Sequence, residues 1–209
     1  MASDNNISKY LSYILRHAPE SIGLSMDNHG WVDIDELIEK AEYPLDKDLI
    51  QHIVATSDKQ RFSINNGKIR ANQGHSIEVN IDFKIQKPPQ VLYHGTANKF
   101  MNSIKEKGLL SQQRQYVHLT DNISTAREVG ARYGKSIVLE IEANRMHEDR
   151  YKFYLSENNV WLTYKVPTQY IKYFTHPPSS HISRDCERTL TRPISPDMGC
   201  IPQPKRKTR

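Results

Sequence analysis

The tripeptide Asn65-Asn66-Gly67 limits the fold of the first half of this chain more than any other feature of its sequence. It separates residues 61–64 from residues 68–71, two short runs that alternate between polar and apolar side chains. Because Asn-Gly accepts the left-handed backbone angles of a tight two-residue turn, the pattern predicts a β-hairpin.

Three amphipathic segments precede the hairpin, and their apolar residues recur at the spacing of one helical face. They lie at about residues 7–15, 34–41 and 45–54. Asp33 followed by Glu36 is typical of a helix N-terminal cap, and Pro19 and Pro44 each disfavour helix in the residue before them. Three short helices closed by a hairpin predict a winged-helix lobe.

The second half alternates short strands with short helices and reads as a mixed α/β lobe. Together with the helical first half, this gives the chain the α+β class. Strands are predicted at residues 91–93, 116–119 and 136–141, with a hairpin of 153–155 and 160–162. Helices are predicted at about 99–107, ending at Gly108, and at 123–133, with residues 120–121 as a cap. Residues 72–90 look like a connection around one strand-like alternation at 77–83.

The 209 residues suffice for two small domains. Shifts in composition predict a first lobe at 1–86, a linker at 87–90, a second lobe at 91–176 and a Pro-rich basic tail at 177–209. Residues 181–209 carry seven Lys or Arg against three acidic residues, which accounts for most of the net charge of +5. The tail has few large apolar side chains, so we expect it to be disordered.

Several functional classes are excluded by missing patterns. No stretch of 18 apolar residues could span a membrane, and the polar N-terminus has no signal-peptide core. Cys186 and Cys200 are outside any C-x-x-C motif, so a disulfide scaffold or structural zinc is not expected, and we predict a cytoplasmic protein. Glycine-rich phosphate motifs are absent, which argues against a Rossmann dehydrogenase and a P-loop NTPase.

Four basic side chains stand at the ends of predicted elements. Arg16 and His17 close the first helix, Arg61 opens the hairpin, and Arg132 lies near the end of the helix at 123–133. A guanidinium matches phosphate oxygens two at a time, so three arginines from separate segments could enclose a phosphate dianion. Each one singly is explained equally well as an exposed side chain or as a partner of helix carbonyls, and spacing leaves both interpretations open.

Two histidines lie beside predicted strands. His94 begins the sequence His94-Gly95-Thr96 directly after one strand, and His118 lies within another. They could hydrogen-bond a ribose or a pyrophosphate, or they could be buried histidines bonded to the backbone. Gly95 would let a backbone approach a ligand closely. No third ligand is spaced to complete a metal site, so none is predicted.

Glu140-Ile141-Glu142 is a competing signal, because it places two carboxylates on one face of a predicted strand. Several protein-modifying ADP-ribosyltransferases carry such a pair. Alternating charges on an exposed strand give the same string, and we favour that interpretation.

Ordered blocks of the sequence resemble the tRNA 2′-phosphotransferase family of KptA type over about residues 8–172. They are S-K-Y-L-S-Y-I-L-R-H-A-P at 8–19, G-W-V at 30–32, K-Q-R-F at 59–62, I-R-A-N-Q-G-H-S at 69–76, Y-H-G-T at 93–96, V-H-L-T at 117–120 and V-G-A-R-Y-G at 129–134. The family block that usually ends in His-Gly reads Tyr133-Gly134 here, and the chain beyond about Phe174 does not resemble the family.

The resemblance implies a winged-helix RNA-binding lobe followed by an ADP-ribosyltransferase-like lobe that binds NAD. It implies a transferase of tRNA splicing that consumes NAD while removing an internal 2′-phosphate from RNA, through an RNA-2′-phospho-ADP-ribose intermediate. The family's catalytic tetrad falls on Arg16, His17, Arg61 and Arg132. Its NAD-contacting residues fall on His94, Gly95, Thr96, His118 and Ser76. We expect 2′-phosphorylated RNA as the partner, no membrane or protein partner, and a monomer.

Two alternatives stay open. One is an ADP-ribosyltransferase acting on protein or on a nucleic-acid terminal phosphate, for which Glu140 and Glu142 would matter. The other is a winged-helix regulator whose second lobe senses a nucleotide. That regulator would read duplex DNA through base edges, but the segment at 45–54 carries few basic residues for this.

Overall fold

The structure, a computed structural model, describes residues 3–174, which belong to one compact unit. The predicted tail at 177–209 and both cysteines lie outside the described residues.

Three helices fold the first part of the chain around their apolar faces. They are α1 (Asp4–Arg16), α2 (Ile34–Lys40) and α3 (Lys47–Thr56). Asp33 caps α2 as predicted, because its side chain accepts the backbone N–H groups of Asp35 and Glu36. Asp46 caps α3 in the same way and accepts from the N–H of Leu49 at 2.7 Å.

A three-stranded antiparallel sheet closes this part. The predicted hairpin is confirmed as β2 (Phe62–Asn65) and β3 (Lys68–Ala71), and its turn uses positive φ angles at Asn66 and Gly67. The sequence did not predict β1 (Val32–Asp33), whose two residues are too short for a periodic pattern and which pairs with the other edge of β3. The sheet and the three helices share one hydrophobic cluster, which includes Leu11, Leu37, Ile50 and Ile69.

The second part is built from small antiparallel sheets and short helices. One sheet has the order β11-β7-β4, formed by Ile171–Phe174, Ser136–Ile141 and Leu92–Ala97. Another has the order β6-β9-β8, formed by Val117–Leu119, Trp161–Thr163 and Tyr154–Leu155. Strands β5 (Leu109–Leu110) and β10 (Lys165–Val166) form a two-stranded pair. The helices are α4 (Met101–Lys107), α5 (Ile123–Ala131) and α6 (Ala143–Glu148), and short 3₁₀ helices lie at Pro19–Ile22, Asn98–Phe100 and Thr168–Tyr170.

Every strand pairing within residues 3–174 is antiparallel, which agrees with the predicted α+β class. The second part has its own hydrophobic cluster, which includes the fully buried Leu92, Leu139, Ile141 and Phe153. Burial of these side chains, worth roughly 1.5–3 kcal/mol each, fixes the sheets that carry His94 and His118.

The connection at residues 77–83 does not form the predicted strand-like segment. Asp82 adopts a positive φ of 50°, and its N–H donates to Asn80 Oδ1 at 3.3 Å. This local turn interrupts the extended backbone that the alternation of apolar residues had indicated. The cap of α5 also differs from the prediction, because Asn122 accepts the N–H groups of Ser124 and Thr125.

Two glycines bring β4 and α5 into backbone contact. A Cβ on Gly95 would overlap the carbonyl oxygen of Ala126, and a Cβ on Gly130 would lie 2.6 Å from the carbonyl oxygen of Thr96. The packing of α5 against the sheet therefore requires glycine at both positions.

Replacing Gly95 by alanine is expected to lower the free energy of unfolding by about 3 kcal/mol or more, because the added methyl group meets rigid backbone. Urea denaturation of the protein without ligands measures this loss. Ser124→Ala on the exposed side of α5 is the control and should change stability by less than about 0.5 kcal/mol. A wild-type midpoint for Gly95→Ala would contradict the contact.

No helix in the described part of the chain combines the length and the apolar character needed to cross a membrane.

Candidate active site

The C-terminal end of α1 packs against the chain that follows β3. The N–H of Ser76 donates to the carbonyl of Arg16 at 3.0 Å, and Ser76 Oγ lies 2.9 Å from His17 Nδ1. Gly74 has a φ of 93° and lies beside the Arg16 side chain, where a Cβ would be 3.7 Å from Cζ. The structure thus brings Ser76 to the predicted phosphate-binding residues Arg16 and His17.

Arg16 is a cation removed from water without a counterion. Its Nε and Nη2 atoms are buried and have no hydrogen-bond partner, and no acidic side chain of the described residues lies within 4.0 Å. Burial, followed by repulsion from Arg114 and Arg61, lowers the pKa of Arg16 to about 10. The group stays charged at neutral pH, and a bound anion would relieve both its repulsion and its lack of partners.

Arg61 and Arg132 reach this cluster by different routes. Arg61 precedes β2 and donates from Nη1 to Ser57 Oγ at 3.3 Å. Arg132 is the exposed residue at the end of α5. Burial and then repulsion from Arg132 and Arg61 lower the pKa of Lys59. These effects place Arg61 near both Arg16 and Lys59, and Arg132 near Lys59.

Arg114 is a basic residue of the site that the sequence analysis missed. After burial, repulsion from Arg114 is the next cause that lowers the pKa of both Arg16 and His118. It also contributes, after larger causes, to the lowered pKa of His17 and of His94. Arg114 is thus close enough to act on both the predicted phosphate-binding residues and the predicted NAD-binding residues. Its position four residues before His118, ahead of a strand that carries a candidate ligand, was the available signal.

His94 and His118 meet across the two larger sheets. His94 Nδ1 lies 3.0 Å from the carbonyl oxygen of His118, and a carbonyl only accepts, so Nδ1 carries the proton and Nε2 is a free acceptor. Burial lowers the pKa of His94. Burial, then repulsion from Arg114 and Arg16, lowers the pKa of His118 to about 3. Both rings are therefore neutral at pH 7, and the buried Nε2 of His118 has no partner.

Gly95 and Thr96 continue β4 beyond His94 and face opposite sides of the sheet. The side of Gly95 is filled by the backbone of α5. On that side the missing Cβ of Gly95 leaves room for the helix, and contact of the Gly95 backbone with NAD stays a prediction. Thr96 is buried on the side of the sheet that carries His94.

His75 is a second neutral, buried histidine next to these groups. Burial, then repulsion from Arg16, lowers its pKa to about 4, and its Nε2 has no hydrogen-bond partner. His75, His118 and Gln115 border a cavity of about 10 Å³, which is the size of one water molecule.

Comparison with known proteins identifies the family to which this chain belongs. Residues 2–165 match the family described as "RNA 2′-phosphotransferase, Tpt1 / KptA family". The chain belongs to this RNA 2′-phosphotransferase family. It is similar to proteins named "Probable RNA 2′-phosphotransferase" from Acaryochloris marina (52% identical over 78% of this chain and 93% of the relative), Flavobacterium johnsoniae (49%, 80% and 95%) and Fusobacterium nucleatum (48%, 83% and 100%).

In this member of the RNA 2′-phosphotransferase family, Glu140 and Glu142 do not form the predicted pair on one strand face. Strand β7 ends at Ile141, and Glu142 immediately precedes α6. Its carboxylate accepts from Lys172 and Arg145 at 2.9 Å each, and these hydrogen bonds lower its pKa. Glu140 is paired with Tyr93 and therefore faces the side of the sheet opposite His94.

Within residues 3–174, no group of three or more His, Cys, Asp or Glu side chains is placed to hold a metal ion.

The lowered pKa values of His75 and His118 predict acid sensitivity. Between about pH 6.5 and pH 4 the unfolded chain binds protons at these rings while the folded protein does not, so the free energy of unfolding falls as the pH falls. Each histidine contributes up to about 1.4 kcal/mol per pH unit. Urea denaturation across this range should show that the free energy of unfolding changes less steeply with pH in His118→Asn than in the wild type. Identical slopes would contradict the lowered pKa of His118.

Proposed function

We propose that this protein removes an internal 2′-phosphate from RNA in a reaction that consumes NAD. In the first step a phosphate oxygen of the RNA attacks the anomeric carbon of the nicotinamide ribose, and nicotinamide leaves with the bonding electron pair. The product is an RNA-2′-phospho-ADP-ribose. In the second step the ribose 2″-hydroxyl attacks phosphorus, the RNA 2′-oxygen leaves and becomes a hydroxyl, and ADP-ribose 1″,2″-cyclic phosphate is released.

The observation that carries the proposal is the unpartnered Arg16 guanidinium among like charges. Arg61 and Arg114 are near enough to repel it, and the neutral rings of His94 and His118 adjoin Arg114. A phosphate dianion would satisfy the cations, and the histidines beside it would meet an uncharged part of a second substrate. Relatives named RNA 2′-phosphotransferases support RNA as the carrier of the phosphate.

The residues present suit NAD as that second substrate. The buried Nε2 of His118 and the free acceptor Nε2 of His94 can exchange hydrogen bonds with ribose hydroxyls or an amide. Thr96 and the Ser76 hydroxyl would complete the set, and the backbone of Gly95 would border it. NAD supplies a glycosidic carbon from which nicotinamide is a good leaving group.

The charges of the site suit both steps. A 2′-phosphate is already an anion, so the first attack needs orientation rather than a general base, and neutral histidines are consistent with this. In the second step negative charge grows on the transferring phosphoryl group, where fixed arginines are most effective. We infer that Arg16, His17, Arg61 and Arg114 hold this group, with Arg132 at its edge beside Lys59.

We also propose the division of labour implied by the fold. The three helices and the hairpin would form the winged-helix RNA-binding lobe, which supplies Arg16, His17 and Arg61. The antiparallel sheets would form an ADP-ribosyltransferase-like lobe, which supplies His94, His118 and Arg114.

The direct test is incubation of the purified chain with a 2′-phosphorylated oligonucleotide, with and without NAD. We expect loss of the 2′-phosphate, release of nicotinamide and appearance of the cyclic phosphate only when NAD is present. The matched substrate without a 2′-phosphate should release no nicotinamide. Phosphate loss without NAD, or no loss at all, would contradict the proposal.

Alanine variants rank the arginines. Arg114→Ala is expected to lower kcat for the second step by about 100-fold or more, because it removes a cation that faces the developing charge. Arg132→Ala should cost about tenfold, because Arg132 is not among the charges that lower the pKa of Arg16, whereas Arg114 is. Single-turnover assays that resolve the ADP-ribosylated RNA measure this step. This RNA intermediate should accumulate most in Arg114→Ala. A larger loss for Arg132→Ala would reverse the assignment.

Glu142→Gln separates the phosphotransferase from an ADP-ribosyltransferase that depends on a catalytic glutamate. Because Glu142 is held by Arg145 and Lys172, we expect more than about half of the wild-type kcat/KM. A loss of about 100-fold or more would favour the ADP-ribosyltransferase.

A further inference from the structure

The loop that presents Lys59 and Arg61 is held through three consecutive backbone carbonyls. Asn158 Nδ2 donates to the carbonyl of Lys59 at 2.9 Å, and Asn72 Nδ2 donates to that of Gln60 at 2.8 Å. The N–H of Asn72 donates to the carbonyl of Arg61 at 2.9 Å. Two asparagines distant in the sequence therefore fix the backbone of the whole loop.

This loop needs external support. Gln60 has a positive φ of 40°, which costs an L-residue free energy unless its surroundings impose it. Lys59 and Arg61 also carry like charges: burial lowers the pKa of Lys59 most, followed by repulsion from Arg132 and then from Arg61. Without its hydrogen bonds, the loop would relax and move the two cations apart.

Asn158 reaches the loop from the other part of the chain. It lies in the turn between β8 and β9, and β9 pairs with β6 so that Leu162 stands opposite His118. Its Oδ1 lies 2.8 Å from the hydroxyl of Ser156, which orients the amide so that Nδ2 faces the carbonyl of Lys59. One rigid turn thus connects the strand pair that carries His118 to the loop that carries Arg61.

A second contact fastens the same turn. Glu157 accepts from Arg70 Nη2 at 2.7 Å and from the hydroxyl of Ser63 at 2.5 Å, and both donors belong to the β2–β3 hairpin. The Arg70 guanidinium lies 4.5 Å from the ring centre of Trp31, which holds it in place. The turn therefore contacts the hairpin at two points, one through a carboxylate and one through the neutral amide of Asn158.

We propose that Asn158 is a positioning residue that sets Arg61 relative to His118 for the transfer of the phosphoryl group. This rests on the proposed function, because it assigns Arg61 to the RNA phosphate and His118 to NAD. Asn158 contacts neither substrate and acts through the backbone of the loop. Misplacement of a phosphate-binding cation by about 1 Å is enough to slow such a step by about 100-fold.

The test compares Asn158→Ala with Asn65→Ala. The Asn65 side chain is exposed in the β2–β3 hairpin and makes no hydrogen bond within residues 3–174. We expect Asn158→Ala to lower kcat for the 2′-phosphorylated oligonucleotide by about 10- to 100-fold and to leave the KM for NAD within about twofold. Asn65→Ala should match the wild type. A proportional loss in folded fraction, measured by thermal melting, would assign Asn158 a purely structural role.

Asn158→Asp distinguishes positioning from turn formation. Aspartate forms such turns as well as asparagine and keeps the acceptor for Ser156, but it cannot donate to Lys59. We expect it to melt like the wild type and to be at least as slow as Asn158→Ala. Wild-type kcat in Asn158→Asp would overturn the proposal.

A double-mutant comparison with Arg61→Ala tests whether Asn158 acts through Arg61. If Asn158 acts through the loop, Asn158→Ala should reduce kcat by less than about threefold in a chain that already lacks the Arg61 guanidinium. Fully multiplicative losses would overturn the proposal. Failure of the wild-type chain to release nicotinamide from NAD with this RNA would instead refute the proposed function.

Discussion

The rest of the site depends on the repulsion among guanidiniums around Arg16. Burial and two neighbouring arginines act against this cation, and within the described residues no acid lies within 4.0 Å to compensate. Such an arrangement persists only because two hydrophobic clusters hold the supporting elements in place. The stability of the folded cores thus maintains an unfavourable concentration of charge that a phosphate dianion would neutralise.

The same need for uncompensated positive charge explains which groups hold the cations in place. A carboxylate that fixed Arg16 or Arg61 would also compete with phosphate for the guanidinium. The structure holds the loop of Arg61 with the neutral amides of Asn72 and Asn158 instead. Glu157, the acid nearest in sequence to Asn158, is already bonded to Arg70 and Ser63. These neutral contacts add no negative charge beside the cations of the loop.

What could be read from the sequence was local. The α1 face, the Asp33 cap and the Asn66-Gly67 turn depend on residues a few positions apart, and all three predictions were right. Strand β1 was missed, because a two-residue strand has no period. The strand-like segment predicted at 77–83 was wrong, because Asn80 and Asp82 form a local turn there. The fold class followed from the sum of the local patterns.

The site was only partly within reach of the sequence, for a related reason. Arg16, His17 and Ser76 were singled out by resemblance, and the structure brings them together. Arg114 is an exposed residue of a loop without periodicity, and its position four residues before His118 was too weak a signal to single it out from the sequence. Gly95 was assigned to NAD by resemblance, and the structure adds that α5 occupies the side of the residue where a Cβ would stand. Which segment packs against a glycine depends on the tertiary structure and cannot be read from neighbouring residues.

The neutral histidines connect this electrostatic arrangement with the chemistry. Arg114 and burial act on His118 in the same direction, so its ring stays uncharged well below neutral pH. A charged imidazolium there would add to the repulsion around Arg16. In the proposed reaction it would also disfavour the positive charge that would develop on the ribose as nicotinamide departs. The same arginines that would attract the phosphate therefore also keep the neighbouring histidines neutral. If the proposed reaction takes place here, one cluster would combine anion binding with tolerance of a developing cation.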